Sequence, residues 1–308
     1  CKEAGADPEW LRSYLDMLAF SPALAMHHTQ AGQENSFGWP QVAAAYAMQV
    51  NEIALRRNAG QLEVITLADA GRWFRSQFTT TPAQAIVALH DTTDQGRQSI
   101  WYTGQNYRIN LLRDPQGLRI RDLQFYADTW TERYLRDTCP GHHMVATALP
   151  VMDGLCWSDE QVIAGMHVMI AGSEGSLKPF VPKGEPQVET RGGSQLIARF
   201  GNDAGSILTC SLHPDRWQMT LCDAKGRPLP LHLLMRYVPS TLATTQTSIM
   251  PAVSCIHYTH EGFEYSLQMQ GGEVAMTTAD QILLRAMQGN LSCSLSTSCR
   301  PATTPVQA

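Results

Sequence analysis

The sequence lacks the features that mark several large classes of protein. No apolar run approaches the roughly 20 residues that a helix needs to cross a bilayer. No cluster of Lys and Arg is present, and the net charge is -5, whereas a surface that binds nucleic acid is usually basic. The sequence therefore predicts a globular chain with no transmembrane segment and no nucleic-acid partner.

Several catalytic and cofactor motifs are also missing. The chain contains no glycine-rich phosphate loop, no G-x-S-x-G nucleophile motif and no H-E-x-x-H zinc motif. Its 8 cysteines form no C-x-x-C pair and no Cys/His ligand spacing. The sequence therefore predicts no metal site and leaves any cofactor unknown.

What is present is the composition of an ordinary globular chain. Its 308 residues are 44% hydrophobic and 17% charged, which is enough for two domains with a sizeable core. The first residue is Cys1 and an amphipathic helical pattern follows almost at once. We therefore expect a chain that lacks its true N-terminus.

The first ninety residues alternate apolar runs with helical periodicity. Asp7 followed by Pro8 is typical of a helix start, and Pro40 and Thr66 mark the starts of two more helices. The apolar runs "PALAMHHT", "LEVIT" and "AQAIVALH" predict strands. Strands and helices that alternate at this spacing indicate parallel strands with crossover connections. Because three such strands cannot bury both of their faces, residues 1–92 predict the C-terminal part of a larger α/β barrel.

Beyond residue 93 the hydrophobic period changes to two, which is typical of half-buried strands. Turn signals at 114–117, 201–205, 223–226 and 271–272 predict hairpins between these strands. The predicted fold class is therefore α/β followed by all-β, in which the last strands of an incomplete (β/α) barrel are joined to an antiparallel β-sandwich. The predicted units are 1–92 (barrel), 93–186 (mainly antiparallel β with irregular loops), 187–290 (β-sandwich) and 291–308 (a disordered tail).

One short link carries an unusual density of polar side chains. The stretch "HHTQAGQENSFGWP", residues 27–40, leaves a predicted strand end, and "HDTTDQG", residues 90–96, leaves another. In parallel α/β folds, working residues collect at such exits. We therefore interpret Glu34 and Asp91 as candidate catalytic carboxylates. The predicted substrate contacts in these two stretches are His28, Gln30, Gln33, Trp39 and Asp94.

Each of these residues also has a structural interpretation. Glu34 could be a solvated acid at a helix start, and Asp91 and Asp94 could be ordinary turn residues. A single strand histidine is more often a satisfied core group than a ligand. The argument for a site depends on the residues lying together on one face.

The tryptophans invite a sugar-stacking interpretation, because aromatic rings pack on pyranose faces. Trp73 on a helix and Trp101 on a strand are better explained as core residues. The stretch "PVMDGLCWS", residues 150–158, reads as a loop. Asp153 and Trp157 are therefore the further candidate sugar contacts.

Several stretches together resemble one known family. They are "TQAGQE" with "FGWP", "VITLADAGRWF", "TPAQAIVAL", "IWYTGQNYRINLL" and "LRIRDLQFY". In this order they are similar to the C-terminal half of large bacterial glycoside hydrolases of the glycoside hydrolase/polysaccharide deacetylase-like barrel superfamily. The resemblance implies an α/β barrel that acts on carbohydrate, with a mutarotase-like β-sandwich behind it. Deacetylase-type members bind a metal on early barrel strands, and no residue of this sequence matches those positions.

The functional hypothesis is therefore the C-terminal part of a carbohydrate-active enzyme, first a glycoside hydrolase and second a polysaccharide deacetylase. Glycoside hydrolysis commonly needs two carboxylates about 5–10 Å apart. The alternative from another class is a non-catalytic carbohydrate-binding or cell-envelope protein that uses the barrel as a scaffold. Paired carboxylates in one pocket would favour the enzyme, and polar loops without such a pair would favour the binding protein.

Overall fold

The computed structural model describes residues 7–31, 38–135, 137–139, 148–172 and 176–297. Within these ranges, three helices precede the strands and a short fourth one lies among them. The helices are α1 (Pro8–Phe20), α2 (Trp39–Asn58), α3 (Leu67–Gln77) and α4 (Pro239–Thr244). No helix of the described ranges is long and apolar enough to cross a membrane.

The helix starts follow the capping pattern of the sequence. The Asp7 carboxylate accepts the Glu9 backbone N–H at 2.8 Å, with Pro8 in the first turn. The Thr66 hydroxyl accepts the backbone N–H of Asp69 at 3.1 Å and donates to its carboxylate at 2.7 Å. These contacts satisfy N–H groups that have no partner inside the helix. The predicted starts at Pro8 and Thr66 are confirmed.

The larger of two sheets has ten strands. They are β1 (Gln84–Ala88), β2 (Gln98–Thr103), β3 (Tyr107–Asp114), β4 (Gly117–Phe125), β5 (Leu149–Asp153), β6 (Gly165–Ala171), β7 (Leu177–Pro179), β12 (Leu231–Arg236), β16 (Gly272–Thr277) and β17 (Gln281–Ala286). Their order is β1-β2-β3-β4-β6-β12-β17-β16, with β5 beside β4 and β7 beside β6.

The smaller sheet has eight strands in the order β13-β14-β15-β18-β11-β10-β9-β8. They are β8 (Gln187–Arg191), β9 (Gln195–Gly201), β10 (Ile207–Leu212), β11 (Arg216–Cys222), β13 (Thr247–Pro251), β14 (Cys255–His260), β15 (Phe263–Gln270) and β18 (Asn290–Thr297). All of β18 except its first residue, Asn290, lies within the range 291–308 that the sequence analysis assigns to a disordered tail, so that prediction is wrong for residues 291–297. The larger sheet draws on the chain on both sides of residue 187, since β6 pairs with β12, whereas all eight strands of the smaller sheet begin at Gln187 or later.

The predicted α/β barrel is wrong. Every strand pair of the described ranges is antiparallel. Of the three predicted parallel strands only the third forms, as β1, and it pairs antiparallel with β2. In "PALAMHHT" only Leu24 makes an isolated bridge, and "LEVIT" forms no strand and leaves Val64 and Ile65 more than half exposed. A short apolar run has no period that separates a strand from an extended connector.

The turn predictions are confirmed at two places and corrected at two. The turns at 114–117 and 201–205 join the hairpins β3–β4 and β9–β10, and Gly117 adopts φ 137°, a value that other residues rarely take. The turns at 223–226 and 271–272 do not join paired strands. After each of them the chain passes from the smaller sheet to the larger one. Turn residues show that the chain changes direction, but they do not determine which strand the next strand pairs with.

The two sheets face each other across one apolar core, as a β-sandwich. Buried residues alternate with less buried ones on several strands, for example Trp217, Met219 and Leu221 of β11. This alternation follows from the pleat of a strand whose one face is buried. The largest buried side chains, including Trp157 and Trp217, lie in this core.

Buried tyrosines link one sheet to the other by hydrogen bonds. The Tyr265 hydroxyl on β15 donates to the Pro150 carbonyl oxygen on β5 at 2.5 Å. The Tyr107 hydroxyl on β3 donates toward the carbonyl oxygens of His213 and Arg216, at 2.7 and 2.8 Å. Since a buried hydroxyl without a partner is costly, these contacts fix the distance and the register of the two sheets.

A matched pair of tyrosines tests this link. The rings of Tyr258 and Tyr265 stack with centroids 5.3 Å apart, but among the described residues the Tyr258 hydroxyl donates only to the Met235 sulfur, at 4.0 Å. We expect Tyr265→Phe to lower the free energy of unfolding by about 1–2 kcal/mol, because the Pro150 carbonyl loses its donor. Tyr258→Phe should cost less, because a thioether is a weak acceptor. Urea unfolding of both variants measures the difference, and equal losses would contradict the proposed link.

Candidate functional site

A cavity of about 260 Å³ lies between α1, α2 and the segment that follows Thr29. It combines aromatic, aliphatic and amide side chains. Its lining residues are Trp10, Leu11, Tyr14, Leu15, Thr29, Gln30, Ala31, Gln49 and Ile53. The polar stretch at 27–40 thus reaches a cavity, but helices rather than barrel strands form the walls.

The wall from α1 follows from helical spacing. Leu11 and Leu15 are four residues apart and are buried, whereas Trp10 and Tyr14 lie one residue earlier on the helix. The Trp10 and Tyr14 rings stack in parallel, with centroids 5.4 Å apart. Positions i and i+4 are neighbours on a helix surface. The result is an aromatic platform at the edge of the cavity.

An ion-pair network holds α1 against α2. The Glu52 carboxylate accepts from Arg12 at 2.8 Å and from Arg56 at 2.7 Å, and Arg56 also reaches Asp16 at 2.6 Å. The hydrogen bond from Arg12, and then that from Arg56, holds the pKa of Glu52 below its usual value. Glu52 and Arg56 are mostly buried while Arg12 and Asp16 are exposed, so the network fixes the helix spacing that leaves the cavity open.

The polar groups of the cavity come from three segments. The Tyr14 and Thr29 hydroxyls lie 2.9 Å apart, and the Gln30 side chain is exposed at the mouth. Gln49 Oε1 is buried and has no hydrogen-bond partner among the described residues. An amide oxygen of this kind can accept a hydroxyl from a ligand.

Of the two adjacent histidines, His27 makes hydrogen bonds in the structure, whereas the sequence analysis chose His28 as the candidate contact. His27 Nδ1 lies 2.7 Å from the Leu18 carbonyl oxygen, and Nε2 lies 2.5 Å from the Ala85 carbonyl oxygen. It therefore links the end of α1 to β1. His28 is exposed.

The other predicted residues of the link are dispersed or not described. Gln33 and Glu34 lie outside the described residues, so their roles stay predictions. Trp39 is the first residue of α2, is 60% exposed and contacts the edge of Tyr46 at 6.1 Å. Trp39 is not among the residues that line the cavity.

Asp91 organises its own loop. Its carboxylate accepts from the backbone N–H groups of Thr93, Gln95 and Arg97 at 2.8–2.9 Å, and from the Thr93 hydroxyl at 2.6 Å. These bonds, that from the Thr93 hydroxyl first, lower the pKa of Asp91 to about 2. Asp94 is exposed in the same turn, with φ 55°. A carboxylate that accepts four hydrogen bonds from its own loop is a poor candidate for proton transfer.

A backbone hydrogen bond of 3.0 Å joins the Trp157 N–H to the Asp153 carbonyl oxygen, but the two side chains lie in different environments. The Asp153 carboxylate accepts the backbone N–H groups of Leu155 and Cys156 at 3.0 and 2.8 Å, and its Cα pairs with that of Asp122 across β4 and β5. Trp157 is fully buried against Tyr237. Because neither face of the Trp157 indole is exposed, a sugar cannot stack on it.

The sequence analysis did not select four residues that line the cavity, which are Trp10, Tyr14, Thr29 and Gln49. Helical periodicity explains Trp10, Tyr14 and Gln49 equally well as residues that pack one helix against its neighbours. Among the described residues, no group of three or more His, Cys, Asp or Glu side chains could hold a metal ion.

Comparisons with known proteins give only distant likenesses. No family model matches the chain, and no curated protein matches it. One similar solved structure is a glycoside hydrolase family 81 enzyme from Clostridium thermocellum, with a TM-score of 0.28 and 10% identity over 62% of this chain and 22% of that enzyme. Another is the structure of HI1317, with a TM-score of 0.29 and 7% identity over 69% of this chain and 98% of that protein. At these TM-scores neither likeness supports an assignment of function.

The loop role of Asp91 predicts a pH dependence. Because the folded pKa of about 2 lies below the ordinary value near 4, the carboxylate adds stability that is fully present above about pH 4 and is lost as the pH falls toward 2. We expect Asp91 to titrate near pH 2 in carboxyl-detected NMR. Thr93→Val should move the titration upward, since it removes the largest contribution. An unchanged titration in Thr93→Val would contradict this account.

Proposed function

We propose that this protein binds carbohydrate in the cavity between α1 and α2. The observation that carries the proposal is an aromatic platform beside an unpaired buried amide oxygen in a small cavity. Ligand sites typically combine apolar walls with a few polar groups that fix orientation. The resemblance of the sequence to carbohydrate-active enzymes agrees with this class of ligand.

The size of the cavity suits a single sugar ring. Its volume of about 260 Å³ lies just below the roughly 300 Å³ at which ordinary small-molecule pockets begin. Trp10 is 39% exposed, so part of its indole remains open to a ligand. The apolar face of a pyranose can pack on such a ring, as aromatic side chains do with other flat apolar surfaces.

The polar lining matches the hydroxyls of a sugar. A hydroxyl both donates and accepts, and the cavity offers Gln49 Oε1 as a buried acceptor and the Gln30 amide and Thr29 hydroxyl as mixed partners. A hydrogen bond to Gln49 Oε1 would satisfy a group that the protein leaves unpaired, and this favours binding.

The geometry supports binding rather than hydrolysis. Among the described residues that line the cavity, none is an Asp or Glu, and hydrolysis commonly needs two carboxylates at the bond. Asp91 is committed to its loop. The glycoside hydrolase hypothesis therefore depends on Glu34, whose contribution to turnover a Glu34→Gln variant would test directly.

Two variants test the binding proposal from opposite sides of the cavity. We expect Trp10→Ala to weaken the affinity for the best ligand of a neutral mono- and oligosaccharide panel by about tenfold or more, because it removes the platform. Gln49→Leu should weaken binding too, yet leave the melting temperature equal or higher, since it removes an unsatisfied buried oxygen. Isothermal titration calorimetry and thermal unfolding give the two readouts.

The matched control is Trp73→Ala. Trp73 is also a partly exposed helix tryptophan, at 44% exposure, but it lies on α3 and does not line the cavity. Its substitution should leave affinity unchanged. The proposal fails if no saccharide of the panel binds, or if Trp73→Ala and Trp10→Ala reduce affinity equally.

A further inference from the structure

The outer face of the larger sheet, which points away from the smaller sheet, carries an irregularity at Arg121. The register between β3 and β4 runs from Asn110 opposite Asp122 to Leu111 opposite Ile120, so Arg121 is the extra residue of a β-bulge. Ile120 and Leu123 belong to the core between the sheets. A bulge changes the direction of side chains, and here it places two consecutive residues, Arg121 and Asp122, on the outer face.

A row of one aromatic and three polar side chains crosses four strands at this bulge. Trp101 on β2 pairs with Asn110 on β3, Asn110 with Asp122 on β4, and Asp122 with Asp153 on β5. Directly opposite residues of antiparallel strands lie about 5 Å apart at Cβ. The bulge therefore sets Arg121 beside an aromatic ring and two carboxylates.

The Arg121 guanidinium, like that of Arg236 on β12, has no carboxylate partner among the described residues, whereas two arginines near Arg121 do. Arg108 binds both oxygens of Asp122, at 2.9 and 3.1 Å, and Arg119 pairs with Asp114. The Arg121 backbone carbonyl accepts the Gly154 N–H at 2.7 Å, but its guanidinium makes no hydrogen bond or ion pair with any residue of the described ranges and lies 5.4 Å from the centroid of the Trp101 ring.

The surroundings of Arg121 are electrostatically unfavourable to it. The side chain is half-buried, and Arg119, Arg108 and Arg97 repel it while Asp122 attracts it. Burial first, and then these three cations, lowers the pKa of Arg121. A half-buried charge without a counterion costs stability, and an anionic ligand would remove that cost.

One buried acceptor without a donor, Gln124 Oε1, lies on the same strand as this cation. Gln124 donates to Asp122 Oδ2 at 3.3 Å, and its own Oε1 is buried without a partner among the described residues. Gln124 is 4% exposed. Asp153 supplies further carboxylate lone pairs beside Asp122. The face therefore matches a ligand that carries both an oxyanion and hydroxyl donors.

We propose that the Arg121 face, defined by Trp101, Arg108, Arg121, Asp122 and Gln124, is a second ligand site that binds an acidic saccharide. Arg121 receives the carboxylate of a uronic acid, in the two-point geometry that guanidinium and carboxylate share. Asp122 and Gln124 accept sugar hydroxyls. This site is separate from the cavity between α1 and α2, and does not depend on it.

The test compares three probes on the intact chain at low salt: trigalacturonate, neutral galactotriose and inorganic phosphate. We expect trigalacturonate to bind measurably more tightly than the other two in calorimetry. Arg121→Gln should weaken its binding by about tenfold or more, with an equal or higher melting temperature, because the variant removes repulsion among arginines. Arg121→Lys should retain part of the affinity, since it keeps the charge but loses the planar fork.

Arg285→Gln is the matched control. Arg285 lies on β17 of the same sheet but pairs with Glu273 on β16, so its loss should leave trigalacturonate binding unchanged. The same comparison in the Trp10→Ala background, where binding in the cavity is weakened, should show the same loss on Arg121→Gln, which separates this site from the cavity. The proposal is overturned if phosphate binds as tightly as trigalacturonate, if galactotriose does so in the Trp10→Ala background, if none of the probes binds, or if Arg121→Gln binds trigalacturonate like the wild type.

Discussion

The burial of two apolar sheet faces against each other is the constraint on which the rest of the structure depends. Neither sheet could remain in water with its inner face exposed, and stacked sheets bury such faces at a separation of about 10 Å. The hydroxyls of Tyr107 and Tyr265 bond to backbone carbonyls of the opposite sheet. Side chains on the outer face of each sheet do not pack in this core, so polar and charged groups can be placed there.

Local features of this fold could be predicted from the sequence, and strand partners could not. Asp7 and Thr66 cap their helices because the required donors lie two or three residues away along the chain. The partner of β1 depends on β2, β3 and β4, which form one antiparallel series. The interpretation of "AQAIVALH" as a parallel strand failed because it used the spacing of elements and contained no information about pairing.

The candidate sites show the same limit. The stretch at 27–40 was singled out for its polar density, and of its predicted contacts Gln30 lines the cavity. Trp10 and Tyr14 fit the helical periodicity of α1. This periodicity shows that one face of the helix contacts an apolar surface, but not whether that surface belongs to the protein or to a ligand. The outward orientation of Arg121 could not be predicted from the sequence, for a different reason. Its orientation depends on a bulge, which is a property of two strands in register and leaves no mark in one of them.

Gln49 and Arg121 share a property that ordinary packing does not explain. Each is a polar group that the described residues leave without its natural partner, an acceptor in one case and a cation in the other. Folding alone would favour apolar replacements at such positions, because unpaired buried polar groups destabilise the native state. Eight further side chains of the described residues carry a buried polar atom without a partner, but Gln49 lines a cavity and Arg121 lies on the outer face of a sheet, so a ligand could supply the partner that each of them lacks. Removing either group should therefore weaken binding without weakening the fold, a combination that a purely structural residue does not produce.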